Sequence, residues 1–337
     1  MKEASKGVFQ DLSQLLHQLI ESNNRMLDII TKINGIMNKT KLLSLNSSIE
    51  AARAGAQGRG FTVIATEIQK FSEQSKAANN ESLVVMKELN GQINSVIGVR
   101  TADVAYDLID KIDRNLFERN CDVQAWSTFE KIVDYAVDPT DKKKEEVIAL
   151  LNNLYKIYEV YHDIVMADNN GKVVAVGVNT ELMGKDVSSA DWFQGAIKTS
   201  GCSVSEMYYS ESYKDYTVSY SCVILDKMGK IAGVLSTRFN WNYIYDILNK
   251  AKIGQKGEVY LLNKDGIVIA SKRPDEILHR NLVETYPLVR DVIAGEEYGY
   301  EIESTNGALT GIIGYAHTKG YNSYPGKKWS VVVRETF

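Results

Sequence analysis

The side chains that most often carry chemistry are few in this sequence and do not form a recognisable site. The four histidines lie far apart and have no metal-ligand spacing: His17, His162, His279 and His317. The three cysteines include no Cys-x-x-Cys pair: Cys121, Cys202 and Cys222. We therefore expect reduced thiols, with neither a disulfide framework nor a zinc ribbon. No phosphate-binding loop, dinucleotide fingerprint, nucleophile elbow or kinase signature occurs. The sequence predicts a protein that is not an enzyme and has neither metal nor cofactor.

Composition narrows the class further. The chain has 337 residues, of which 44% are apolar and 24% charged, with a formal net charge of -4. This length predicts two or three domains. The mixed, mildly acidic charge argues against a nucleic-acid-binding protein, which would carry a basic stripe. The longest apolar run, Val173 to Val178, is far shorter than the roughly 18 residues that a membrane-spanning helix needs. We expect a soluble, cytoplasmic protein.

The elements that must position any site divide into a helical front and a sheet-bearing back. The first proline is Pro139, and only two of the 19 tyrosines and seven of the 24 glycines precede it. A long helical stretch is therefore permitted in front. The later part is rich in tyrosine and glycine, which favours strands and turns.

In the front, apolar residues recur in alternating steps of four and three, which is a heptad seam. The first series is Val8, Leu12, Leu15, Leu19, Met26, Ile29, Ile33, Ile36 and Leu43, with Ser22, Thr40 and Ser47 as polar interruptions. A second series runs from Ile64 to Val96, and the glycine-rich segment Arg53 to Gly60 separates the two. This pattern predicts an antiparallel helical hairpin with its turn near 53–60. A second apolar stripe, at Leu16, Ile20, Ile30 and Met37, predicts that the hairpin dimerises into a four-helix bundle.

The run from Asn38 to Ser75 closely resembles the cytoplasmic signalling tip of bacterial chemoreceptors, the methyl-accepting chemotaxis proteins. The resemblance implies homodimers that join as trimers of dimers and bind a histidine kinase and a coupling protein. It places the trimer contacts on Leu42, Leu45, Asn46, Ile49, Glu50 and Arg53. The implied kinase and coupling-protein face lies near Gln57, Arg59, Phe61 and Val63.

Two features of this tip leave alternatives open. Glu50 and Arg53 could instead form a solvated pair within one helix, and Ala56 replaces the acidic residue common at the turn. The arms are also too short for the family's methylation region, and Glu73-Gln74 is the only suggestive pair. The hairpin could then be a dimerisation stalk only, or part of a fragment that regulates a missing output domain.

In the back, the same pattern occurs three times: an Asx residue, a glycine three positions later, and then a strand-like run. The Asx residues are Asp168, Asp226 and Asn263. Each pattern predicts a hairpin of antiparallel sheet. With a helix expected at 241–250, the repetition predicts two tandem α+β modules, at about 162–250 and 251–335.

This arrangement resembles the double Cache, or tandem PAS-like, sensor domain of bacterial receptors, with Thr101 near the start of its long helix. The resemblance implies a ligand pocket in the first module, matched by Trp192, Phe193 and Tyr208. Ala190 replaces the family's basic residue, and Arg238 stands near the place of its acid. In the family, the base binds the carboxylate of an amino-acid ligand and the acid binds its amine. The resemblance therefore implies that both anchor residues for an ordinary amino acid are lost here.

We expect Trp192, Phe193, Tyr208, Tyr220 and Arg238 to bind an anionic, partly apolar small molecule. The alternative is that the aromatic residues belong to the sheet core and that Arg238 is a solvated residue at a strand end.

The sequence therefore predicts an α+β chain in three parts: a signalling hairpin at 1–97, a long helix with the first Cache module at 98–250, and a second Cache module at 251–337. The predicted function is a chemoreceptor-like signal transducer.

Overall fold

The structure is a computed structural model that describes residues 12–254, 256–295, 297–305 and 308–336. The predicted fold class is confirmed: a long helical region precedes two antiparallel-sheet modules. Val8, the first residue of the predicted seam, lies outside the described residues. Within the four described ranges, no helix combines the length and hydropathy that crossing a membrane requires.

The front of the chain forms the predicted hairpin. Helix α1, Leu12–Arg53, leads into a short 3₁₀ turn at Gly55–Gly58, and helix α2, Arg59–Trp126, returns along it. Helix α2 continues past the hairpin arm without interruption. The structure therefore has no break at the predicted boundary between residues 97 and 98, and one helix belongs to both the hairpin and the sensor.

The two helices of the hairpin meet along a stripe in which buried residues recur every seventh position. In α1 these are Leu16, Asn23, Ile30, Ser44 and Ala51, and in α2 they are Ala65, Ser72, Asn79 and Ile93. Two side chains fix the register: Ser72 Oγ donates to the Met37 carbonyl over 2.8 Å, and Asn79 Nδ2 donates to the Ile30 carbonyl over 2.8 Å. The stripe that contains Leu16 and Ile30 is thus the contact within the hairpin.

The other apolar stripe, which is the predicted heptad seam, remains exposed in the single chain. Its exposed members on α1 are Leu15, Leu19, Met26, Ile29, Ile36 and Leu43. Those on α2 are Ile64, Ile68, Phe71, Val85, Leu89 and Val96. Each hairpin therefore presents a long apolar face of the kind that a four-helix bundle buries.

The first module packs α3, Glu130–Val137, α4, Asp141–Tyr158, and the end of α2 against a six-stranded sheet. Its strands are β1 Tyr161–Asp168, β2 Val173–Val176, β3 Cys202–Val204, β4 Tyr208–Ser210, β5 Asp215–Leu225 and β6 Ile231–Asn240. The order is β2-β1-β6-β5-β3, with β4 also paired to β5. Helix α5, Asp191–Thr199, covers the other side, and α6, Asn242–Asn249, leads to the second module.

The second module repeats this plan with a five-stranded sheet in the order β8-β7-β11-β10-β9. Its elements are β7 Glu258–Leu262, β8 Val268–Ser271, a 3₁₀ turn Pro274–Glu276, α7 Leu288–Ile293, β9 Tyr298–Thr305, β10 Ala308–His317 and β11 Ser330–Thr336. The three predicted Asx turns connect β1 to β2, β5 to β6 and β7 to β8. In each, the Asx side chain accepts two backbone N–H groups of its own turn.

Helix α2 crosses the second sheet at very short range. A Cβ atom on Gly98 would lie 2.2 Å from the Tyr300 ring, and one on Gly314 would lie 2.4 Å from the backbone of Thr101 and Ala102. Glycine at these positions lets the helix approach β9, at Gly98, and β10, at Gly314, this closely. Arg100 then reaches Glu335 on β11 in a nearly buried ion pair of 2.8 Å.

The expectation of reduced cysteines is corrected for one pair. Cys202 on β3 and Cys222 on β5 are register partners, and they form a disulfide across a Cα–Cα distance of 4.0 Å. The two residues are far apart in sequence, so only the pairing of β3 with β5 brings them together. Cys121 remains a free, exposed thiol.

The uncovered stripe predicts at least a dimer in solution. Replacing Ile29 and Phe71 together by lysine would place charges in this apolar face, whose burial then becomes unfavourable. We expect the unaltered chain to be dimeric and the double variant to be monomeric by light scattering at tens of micromolar. The control pair Asn24→Lys and Thr66→Lys, at exposed positions outside both stripes, should stay dimeric. A monomeric unaltered chain would remove the four-helix bundle.

Candidate functional site

A cavity of about 520 Å³ lies in the first module, between the sheet and α5. Three of the predicted ligand residues, Trp192, Tyr208 and Arg238, line it together. The aliphatic part of its wall consists of Val165, Val173, Leu182, Val187 and Ala190. The cavity therefore combines an aromatic and aliphatic lining with one strong cation.

Arg238 is the electrostatic centre of this cavity. Its residue is only 5% exposed, and its Nη1 donates to the Ser236 hydroxyl and, over 3.0 Å, to the Thr237 carbonyl. The guanidinium carbon lies 4.5 Å from the centre of the Trp192 ring. Among the described residues, no carboxylate lies within ion-pair distance of Arg238. A buried guanidinium without a carboxylate partner is a strong site for an anion.

The structure places two predicted ligand residues outside the cavity, which corrects the expectation for both. Phe193 is 4% exposed and packs between α5 and the sheet, with Ala196, Val223 and Val234. Tyr220 is fully buried in the main core, with its ring edge-on to Phe239. Neither ring can reach a ligand beside Arg238.

Tyr213 is a lining residue that the sequence analysis missed. It lies in the connection between β4 and β5, and its hydroxyl donates over 3.1 Å to the fully buried carboxylate of Asp163. Burial raises the pKa of Tyr213, so the hydroxyl stays protonated and keeps this bond. The excess of tyrosine after residue 200 was the only sequence signal for it.

Asp163 is already saturated by its own neighbours. It accepts the backbone N–H groups of Gly177, Val178 and Asn179 as well as the Tyr213 hydroxyl. Its carboxylate fixes the loop after β2 and is not available to a ligand ammonium group.

Two carboxylates line the cavity, those of Glu206 and Asp191, and they differ in their partners. Glu206 pairs with Lys327 over 2.9 Å and accepts the Trp329 indole N–H over 3.4 Å. Asp191 is exposed at the start of α5. An ammonium group entering the cavity would therefore find only the solvated Asp191.

The partners of Glu206 connect the cavity to the second module. Lys327 also donates to the Val204 carbonyl over 3.0 Å, so one loop of the second module holds both the end of β3 and the segment that follows it. The beginning of the same loop binds helix α2: the Thr318 hydroxyl and the Gly320 N–H both donate to Asp113. A continuous set of contacts thus runs from the cavity wall to the long helix.

The ten predicted partner-binding residues lie around the hairpin turn, and all are exposed: Leu42, Leu45, Asn46, Ile49, Glu50, Arg53, Gln57, Arg59, Phe61 and Val63. Glu50 and Arg53 form an ion pair of 2.9 Å within α1, in which both side chains are mostly solvated. In the single chain, Glu50 and Arg53 therefore have the geometry of the alternative interpretation, a solvated pair within one helix. The surrounding apolar side chains remain open to a partner.

Two family profiles match the chain and overlap over residues 86–136, from α2 into α3. The profile of the methyl-accepting chemotaxis protein signalling domain matches residues 2–136, and that of the Cache domain matches residues 86–336. The chain is 38% identical over 88 residues to Protein PilJ of Pseudomonas aeruginosa, which covers 26% of this chain and 13% of that protein. It is 36% identical over 87 residues to methyl-accepting chemotaxis protein I of Escherichia coli, covering 26% and 16%. The matched part is thus less than a fifth of either relative.

Solved sensory domains share the fold of nearly three quarters of this chain. The sensory domain of the Campylobacter jejuni chemoreceptor Tlp3 with isoleucine bound has a TM-score of 0.55 and 17% identity, covering 74% of this chain and 95% of that one. The ligand-binding domain of the Pseudomonas aeruginosa amino acid chemoreceptor PctB in complex with L-Arg has a TM-score of 0.53 and 14% identity, covering 71% and 95%.

Asp113 gives the contact between α2 and the second module a pH dependence. Burial raises the pKa of this carboxyl above its ordinary value of 3.8, although the bonds from Thr318 and Gly320 oppose the shift. Because the folded protein holds this proton more tightly than the unfolded chain, the free energy of unfolding should fall as pH rises from about 3.8 through the folded pKa.

Asp113→Asn should remove this loss of stability, as measured by chemical denaturation at several pH values between about 4 and 7. Asp107→Asn, at an exposed position on the same helix, is the control and should keep the pH dependence of the unaltered chain. Parallel curves for Asp113→Asn and the unaltered chain would contradict the assignment.

Proposed function

Because the chain belongs to the Cache domain family and also carries a methyl-accepting chemotaxis protein signalling domain, we propose that it couples a small anionic ligand to a chemotaxis kinase. It is a chemoreceptor-like sensor.

The single observation that carries the ligand class is the buried Arg238 in its largely apolar cavity. A ligand carboxylate or similar anion would bind the guanidinium, and an apolar body would contact Trp192 and the aliphatic wall. The Tlp3 and PctB domains were solved with amino acids bound. By the resemblance to the double Cache family, Ala190 replaces the basic anchor and Arg238 stands near the place of the acidic one. Glu206 is engaged by Lys327 and Asp163 by its backbone partners, so a zwitterion has no free buried carboxylate for its ammonium group.

Ligand binding would reach the hairpin through the second module. Movement of the β3–β4 segment on ligand binding would shift Lys327 and Trp329, and hence the loop that binds Asp113 on α2. A ligand can act through this route only if it binds two arrangements of these contacts with different affinity. Since α2 has no break between Asp113 and the turn, the hairpin would receive the change directly.

At the other end, the exposed tip would act on a histidine kinase and a coupling protein. We infer homodimers, formed through the uncovered stripe, that associate as trimers through the patch around Ile49. The stalk alternative is favoured by one observation, the Glu50–Arg53 pair, which is already satisfied within its own helix.

The proposed compartment is the cytoplasm, because the proposed kinase partner is cytoplasmic. The Cys202–Cys222 disulfide opposes this location, since such bonds are typical of oxidising compartments.

Variants of the cavity test the ligand class. In calorimetry with a panel of aliphatic and aromatic carboxylates, Arg238→Met should weaken a bound anion by about 2 kcal/mol or more, because the charge is lost while the aliphatic bulk is kept. Trp192→Ala should abolish binding through loss of the ring contact. Tyr209→Ala, an exposed neighbour of Tyr208 outside the cavity lining, is the control and should bind normally. Tight binding of a common amino acid, or full affinity in Arg238→Met, would refute this site.

Charge reversal at the tip tests the partner. Glu50→Lys keeps helix propensity nearly unchanged but brings a cation near the arginines of neighbouring hairpins. Receptor clustering and kinase recovery in pull-downs should fail, while the dimer persists. Glu21→Lys, which breaks a similar exposed pair with Arg25 far from the tip, should change neither. If the unaltered tip recovers no kinase, the hairpin is a stalk.

A further inference from the structure

The second module contains a cavity of its own, of about 460 Å³. Its position corresponds to that of the first cavity in the repeated fold. Glu258 lies five residues before the Asx residue of its turn, as Asp163 does in the first module. Glu258 pairs in register with Arg334, as Asp163 does with Arg238. The two modules therefore place an acid and an arginine at equivalent points of equivalent strands.

The chemistry of the second cavity is different, because its lining is charged where the first is apolar. It contains two carboxylates, those of Glu258 and Glu276, against four cations: Lys256, Lys272, Arg273 and Arg334. Glu276 is buried and pairs with Arg273 and Arg280. Glu258 pairs with Arg273 and Arg334, and Arg334 also binds Glu303 over 2.8 Å. The arginines are thus balanced by glutamates.

Lys256 and Lys272 supply the excess of two positive charges. Both are exposed at the mouth of the cavity, and neither forms an ion pair within the described part of the chain. Arg273 lies between them and the glutamates, and its side chain is 58% exposed. Its Nη1 and Nη2 bind Glu276 and Glu258, which leaves three of its five N–H donors for an anion at the mouth. The hydroxyl of Ser271 also lines the cavity, where it donates to the Arg273 carbonyl over 2.9 Å and accepts the Arg273 N–H over 2.9 Å, so it fixes the backbone of Arg273.

We propose that this cavity is a second ligand site, which binds a small dianion such as a dicarboxylate or a phosphate monoester. Lys256, Lys272 and Arg273 bind its two charges at the mouth, while Arg334, held by Glu303, stays fixed behind them. The site is well placed to act on signalling. Arg334 is followed on β11 by Glu335, which binds Arg100 of helix α2.

Calorimetric titration of the full chain at low ionic strength, with succinate and with inorganic phosphate as separate probes, tests this site. We expect one dianion to bind per chain at this site with at least one probe. Lys272→Glu and Arg273→Gln, both at exposed positions, should each weaken it about tenfold or more. Lys264→Glu makes the same charge change at the opposite end of the β7–β8 hairpin, and it should retain the affinity.

Arg238→Met separates the two cavities. Binding that survives in Arg238→Met but is lost in Lys272→Glu supports the second site, whatever the result for the first. Binding lost in Arg238→Met and kept in Lys272→Glu overturns it, because the probe then occupies the first cavity. An equal loss in Lys264→Glu and Lys272→Glu also overturns it, as does no binding of either probe up to about 10 mM.

Discussion

Helix α2 has to pack against two unlike neighbours along one uninterrupted length, and the rest of the structure follows from that requirement. Its first half meets α1 through one narrow stripe with a seven-residue repeat. Its second half lies on two sheets and is buried over a much wider face, as at Leu108, Ile112 and Leu116. A single helix that serves both contacts leaves no flexible joint between sensor and hairpin. The glycines at 98 and 314, where the change of neighbour occurs, are therefore structural necessities.

The two modules show how one framework carries different chemistry. In the first module the acid, Asp163, is short and binds the backbone of the loop after β2, which leaves Arg238 without a carboxylate partner. In the second, the longer Glu258 reaches into the cavity and shares its charge with two arginines. Glu258 is one methylene group longer than Asp163. Because of this length and of the neighbouring glutamates, Arg334 is part of a network of ion pairs, whereas Arg238 is a single buried cation. The disulfide between β3 and β5 adds rigidity only to the wall of the first cavity.

Much of the fold could be predicted because its causes are local. An Asx residue and a glycine at fixed spacing determine a turn, and three such turns located three hairpins. The heptad pattern likewise revealed two apolar stripes. It could not show which stripe joins α1 to α2, because both have the same period. Nor could composition show that α2 continues past residue 97.

The cavity was harder to predict because its residues come together only through tertiary packing. Trp192 and Phe193 are consecutive on α5, so they point in different directions, and only the packing of α5 decides which ring enters the cavity. Strand β5 is buried on both faces, so no alternation marked Tyr220 as a core residue. Tyr213 and the Cys202–Cys222 pair depend on how the β4–β5 connection and β3 meet the sheet.

The bonds from Ser72 and Asn79 to carbonyl groups of α1 have a mechanical consequence. They oppose sliding of α1 along α2, so the hairpin behaves as one rod. The rod is anchored where Gly98 meets Tyr300, and the 40 residues from there to Gly58 extend about 60 Å. A tilt of about one degree at the anchor moves the far end by about 1 Å over that length. A displacement beside the cavity that is too small to break any hydrogen bond there can thus move the hairpin turn by about 1 Å. A movement of that size is comparable to the difference between two groups in contact and two groups that are apart.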